Sequence, residues 1–110
     1  MPRALRDFSP IYTTEQVTLS FDFSSALAVG ETLLTQASPL SPAMSIGVVT
    51  GIDATPTSRF IGTPSIIGAL VVQMIGALVP NTTYDVVATV STSASQTLTL
   101  NAHIGCPAIG

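Results

Sequence analysis

Lysine and tryptophan are absent from the chain, cysteine and histidine occur once each, and Arg3, Arg6 and Arg59 are its only cationic side chains. Each shortage removes a class of function. With a formal net charge of −3 there is no basic stripe to displace counterions from phosphates, so no nucleic-acid partner is expected. Anionic membrane surfaces are disfavoured on the same ground. A lone Cys106 excludes an intramolecular disulfide, and the fold must stand on packing. His103 and Cys106 fall short of the four ligands of a structural zinc site. On a strand, residues three apart face opposite ways, which also argues against a Cys–His nucleophile pair. The acids Asp7, Glu15, Asp22, Glu31, Asp53 and Asp85 are scattered singly, with no local carboxylate pair for acid–base work. No phosphate loop or nucleophile elbow is present. The sequence therefore predicts neither enzyme nor cofactor nor metal site. Charged residues make up only 8% of the chain, against about 25% in an average soluble domain.

What remains is apolar and hydroxylated. Hydrophobic residues are 46% of the 110, and Ser and Thr together supply about a quarter. Val, Ile and Thr pack well on a pleated surface, so the bias is towards sheet, in a chain sized for one domain. From Gln16 the pattern is period 2: Val17, Leu19, Phe21 and Phe23 point one way, Thr18, Ser20 and Asp22 the other. Ser24 to Gly30 reads as a turn, Glu31 to Gln36 as a short strand, and Ala37 to Pro42 as loop or edge. Met44, Ile46 and Val48 share a face of a third strand reaching Ile52; Asp53 to Ser58 is turn chemistry, with Asp53 capping its own backbone. Arg59 to Ile61 reads as a short strand, broken by Gly62 and Pro64. The apolar run Ile66 to Val79 falls short of the ~20 residues of a membrane-spanning helix. It reads as one buried strand bent at Gly68 or Gly76. Tyr84, Val86, Ala88 and Val90 share a face of the next strand. Ser91 to Gln96 is a polar turn, and a closing strand over Thr97 to Ile104 turns Leu98, Leu100 and Ala102 inward.

Residues 1–15 differ from the rest. They hold four of the nine charged residues, two prolines, and Phe8, Ile11 and Tyr12, without a period of 2 or 3.6. This segment reads either as a frayed terminus or as an N-terminal arm contacting a neighbouring subunit through Arg3, Arg6, Phe8 and Tyr12; three large apolar residues, costly to leave in water, tip the expectation to the arm, with the folded domain over residues 16–110. The opening MPRALRDFSP places charge and proline where a secretory leader has an apolar region, which predicts no export. Soluble sandwiches usually guard strand edges with lysine and other charges. Here lysine is missing and charge is sparse beyond residue 31, so edges covered by neighbours, and hence a homo-oligomer, are expected.

Leu78, Pro80 and Tyr84, set just as an alternating strand begins, resemble the tyrosine corner of fibronectin type III and related sandwich domains. That resemblance implies a structural role: Tyr84 the corner, Leu78 a core residue and Pro80 the turn former. More widely, FDFSSALA with GET, then DATPTSR, the apolar strand with Gln73, LVPNTTY and TVSTSASQTLTLNAHI resemble small tailed-phage virion proteins of the fiber–tail adaptor or head and neck accessory type. The resemblance covers about residues 20–105. Ala94-Ser95 stands where such proteins often place a glycine. It implies an all-β, immunoglobulin-like or fibronectin III-like antiparallel sandwich. The expected role is a non-enzymatic subunit decorating the head or connecting head and neck to tail fibres. Its partners would be other virion proteins (capsid, neck or tail fibre), and it would be made in the host cytoplasm and located in the virion. The alternative expectation is a binding module whose loops 37–43, 53–58 or 91–96 hold carbohydrate or a host-surface receptor; the lack of Trp, and so of stacking faces, weighs against it. An exported pilus-like subunit would need an export signal.

Overall fold

From Gln16 onward, alternating side chains become strands because period 2 puts every second residue on one face of an extended backbone. The computed structural model describes residues 15–37 and 40–106, together with the backbone of residues 3–4. Arg6, Phe8 and Tyr12 of the expected arm, and the side chain of Arg3, lie outside the described residues. Ten strands form among the described residues: β1 (Arg3–Ala4), β2 (Gln16–Asp22), β3 (Leu33–Leu34), β4 (Gln36–Ala37), β5 (Leu40–Ser41), β6 (Ala43–Thr50), β7 (Phe60–Ile67), β8 (Leu70–Gly76), β9 (Thr82–Thr92) and β10 (Thr97–Cys106). The fold is all-β.

One sheet runs β1-β10-β9, with β3 and β6 end to end along the far edge of β9. The second runs β2-β8-β7, and β4 and β5 form a small hairpin of their own. All pairings are antiparallel except that of β1 with β10. The inward rows of the two main sheets meet in one core: Leu19, Phe21, Val71 and Ile75 from one, and Tyr84, Val86, Ala88, Val90, Leu100, Ala102 and Ile104 from the other. Burying each large aliphatic or aromatic side chain here contributes about 1.5–3 kcal/mol. In a chain without a disulfide, these rows hold the sheets together.

Three expectations are corrected. The apolar run is a hairpin rather than one strand: Ile67 pairs with Leu70 across Gly68-Ala69, and Gly68 takes φ +60°. A two-residue turn with glycine at its first central position matches the twist of the strands it joins. Nor do Gly62 and Pro64 end a strand. Between Ile61 and Ser65 the register shifts, so Gly62, Thr63 and Pro64 of β7 lie opposite the single residue Gln73 of β8. Proline lacks a ladder donor and is at home in such a bulge.

The short strand expected over Glu31 to Gln36 is broken at Thr35: β3 pairs with β9, Gln36–Ala37 pairs instead with Leu40–Ser41, and pairing with β9 resumes in β6. Ser41 closes the gap. Its hydroxyl donates to the Leu34 carbonyl at 2.5 Å and accepts the Ser91 N–H at 2.9 Å. The side chain is buried, and it stands in for ladder bonds between partners that are themselves only partly exposed.

Candidate interaction surface

The connection into β9 is pinned by Tyr84. Leu78, Tyr84 and Thr82 are buried, and the Thr82 hydroxyl donates to the Pro80 carbonyl at 3.2 Å. The Tyr84 phenol oxygen accepts the Val79 N–H at 3.0 Å and its hydroxyl donates to Asp53 Oδ2 at 2.8 Å. Leu78, Pro80 and Tyr84 thus come together at one crossing. Asp53 also accepts the Thr55 N–H at Oδ1, 2.9 Å away, and its Oδ2 lies 3.5 Å from Arg59 Nε. Arg59 reaches on to donate through Nη1 to the Ala77 carbonyl. Burial alone would raise the Asp53 carboxyl; the Thr55 N–H, the Tyr84 hydroxyl and the Arg59 guanidinium outweigh it and hold the carboxyl below its ordinary value. Burial, reinforced by Asp53, pushes the Tyr84 phenol up to about 12. Gly51 lets this loop close on β9: its φ is +94°, and a Cβ there would sit 2.5 Å from the Asn81 carbonyl oxygen. Together these residues brace a crossing.

The bulge in β7 organises a second place. Three residues opposite one leave carbonyls without ladder partners, and the Gln73 side chain fills in. Its Nε2 donates to the Met74, Ile61 and Gly62 carbonyls at 2.8, 3.1 and 3.3 Å. Gln73 sits in the core row of β8 between Val71 and Ile75 and is only 2% exposed. Its Oε1 is buried and has no hydrogen-bond partner among the described residues. The same residue lines a cleft of about 330 Å³ between the β4–β5 hairpin and β7, together with Leu40, Pro42, Met44, Phe60 and Thr63. Among the described residues no charged side chain lines it. A lone glutamine in an apolar run was visible in the sequence; that its oxygen would be left over was not, because the bulge that occupies its nitrogen is a tertiary feature.

Exposed apolar side chains are spread over the surface rather than gathered at the cleft. β6 pairs only with β9 and β7 only with β8, so each keeps one free edge among the described residues. Val49, at the β6 bulge, Ile52, Leu40 and Ile67 are exposed, as are Val29 and Met74. β6 carries no charged residue. On β10, His103 and Cys106 face opposite ways. Cys106 is buried, its thiol 3.8 Å from the Leu78 carbonyl, while His103 Nε2 lies 3.7 Å from Asp85 Oδ1 on the outer face. Among the described residues no three potential metal ligands cluster.

Comparison with protein-family models, with curated proteins and with solved structures finds no match to this chain.

Proposed function

We propose that the chain is a non-enzymatic structural subunit of a tailed-phage virion, assembling in multiple copies to decorate the head or to join head and neck to tail fibres. The observation that carries this reading is the uncharged free edge of β6 beside exposed Val49, Ile52 and Leu40, in a chain without lysine. A long apolar edge left unguarded is a liability for a free monomer and a ready contact for an assembled one. The finer fold belongs to the same reading: an immunoglobulin-like or fibronectin III-like sandwich. In its favour, β2-β8-β7 opposite β6-β9-β10 follows the B-E-D and C-F-G orders of immunoglobulin sandwiches. The arm over residues 1–15 supplies further contacts between subunits through Arg3, Arg6, Phe8 and Tyr12.

Sedimentation velocity of the purified chain tests the assembly reading, with a discrete oligomer as the expected result. A monodisperse monomer at high concentration overturns it. Locating the chain in an electron-microscopy map of its intact particle tests the virion assignment. One observation favours the second reading, a host-surface binding module: the β4–β5 hairpin forms a wall of the cleft. A glycan-binding screen separates the two, since a structural subunit gives no hits.

A further inference from the structure

The ladder of β6 shows which of its backbone groups are free. Along an antiparallel strand the N–H and C=O of successive residues turn to alternate sides. On β9 the Ser91 and Ser93 N–H groups turn towards β3 and β6, meeting Ser41 Oγ and the Thr32 carbonyl, each at 2.9 Å. The Thr92 N–H turns the other way, to the Gln96 carbonyl just before β10. The β9–β10 register is unbroken, so the alternation holds along β9, and Thr89, Val87 and Asp85 also face β6. Their partners Ala43, Ser45 and Gly47 commit their N–H and C=O groups to β9. Met44, Ile46 and Val48 therefore turn theirs to the edge that is free among the described residues. Such a row is a template for a further strand.

The strand itself selects the occupant. In an antiparallel self-pair about a two-fold axis, a charge on the strand lies close to its own copy, and β6 has none. The other long edge strands are less suited: β2 carries Asp22, and β7 is interrupted by its bulge and by Pro64, which lacks a donor. We propose that two copies of the chain pair β6 with β6, antiparallel, about a two-fold axis at Ile46, making one continuous sheet. The proposal rests on the self-assembly reading above and gives it an interface. Ile46 lies opposite Ile46 of the second copy and Met44 opposite its Val48, so three pairs exchange two hydrogen bonds each. Shifting the axis to Ser45 sets Pro42, which has no N–H, opposite Val48. Shifting it to Gly47 sets Thr50, beyond the bulge, opposite Met44. Only the axis at Ile46 serves all three free residues. On the outer face it brings Ser45 against Gly47, both exposed.

The test uses the full chain. Amide exchange, read residue by residue by NMR, is compared at concentrations below and above self-association. The Met44, Ile46 and Val48 amides are expected to slow at least about tenfold on association, whereas Ser45 and Gly47, already bonded to β9, are protected throughout. A second measurement reads the register. Residues opposite each other in a non-hydrogen-bonded pair have Cα atoms about 4.5 Å apart, within reach of a disulfide. Ser45→Cys and Gly47→Cys are therefore expected to form a disulfide dimer under copper–phenanthroline when mixed, and little when either is oxidised alone. Both sites are exposed, and a Cβ at Gly47 meets nothing within 4 Å. Buried Cys106 is common to both variants. Amides of Met44, Ile46 and Val48 that stay fast in the associated protein, or a disulfide yield no higher in the mixture than in the single variants, overturn the β6 pairing while leaving the oligomer standing. A wild-type chain that stays monomeric overturns both.

Discussion

Because the Tyr84 hydroxyl donates to Asp53, one contact favours the ionised carboxylate and the neutral phenol at once, and the two groups shift in opposite directions. The folded Asp53 carboxyl lies below its ordinary value of 3.8, so its stabilisation is fully present above that pH and is lost as pH falls through the lower folded value. The phenol, raised from 10.0 to about 12, contributes stability that is present below pH 10.0 and lost as pH rises through about 12. Asp53→Asn is expected to cost roughly 1.5–3 kcal/mol at neutral pH, the range for hydrogen bonds to charged groups. Urea denaturation should show the gap to wild type closing as the solution is acidified below 3.8. Tyr84→Phe leaves the Val79 N–H unpaired and is expected to cost about 1–3 kcal/mol. Its gap to wild type should close at the alkaline end instead. Of this network, the Leu78–Tyr84 spacing was legible because a corner is local in sequence. Asp53 was legible only as the cap of its own turn. Its contacts with Tyr84, 31 residues away, and with Arg59 depend on how β6 delivers the loop, and no local spacing records that.

At the scale of elements, Ser41 does what a ladder does elsewhere. Ser41→Ala removes the donor to the Leu34 carbonyl and the acceptor for the Ser91 N–H together. Two part-buried backbone groups then lose their partner, and a loss of about 1–3 kcal/mol is expected, since partial access to water relieves some of the cost of each unsatisfied group. Amide exchange at Ser91 should quicken more than global unfolding requires, which distinguishes local opening from general destabilisation. The edge of β6 gives a complementary prediction. Val49→Lys places a charge on an exposed bulge position and is expected to leave the melting temperature nearly unchanged while blocking self-association in sedimentation. Strand existence was legible here from alternation, but connectivity was not. Gly68-Ala69 makes a hairpin with two small residues inside an otherwise apolar run, so composition gives no sign that the chain reverses. Pro64 looked like a break because the bulge that accommodates it is a property of the β7–β8 pair rather than of either strand.

For the molecule as a whole, scarcity of charge is the property that links fold to assembly. The all-β class followed from β-branched residues and period 2, since each strand needs only a half-apolar row, and these rows close on each other in a chain whose single cysteine allows no intramolecular disulfide. The chain has few charges with which to steer or repel a partner, so in the proposed assembly contact between copies would come from apolar burial and backbone pairing. Such contacts respond to salt differently from ionic ones. The screening length falls from about 10 Å at 0.1 M to about 3 Å at 1 M, which removes most attraction between exposed charges and leaves apolar burial in place. Arg3 and Arg6, if they pair at the rim of an interface, are worth about 0–1 kcal/mol each. Raising sodium chloride from about 0.1 to 1 M is therefore expected to weaken self-association by less than about tenfold, while sodium sulfate strengthens it by being excluded from apolar surface. Sedimentation equilibrium across the two salt series measures both slopes. A steep loss of association in chloride would shift the weight of the contact from the β6 edge to the arginines of the arm.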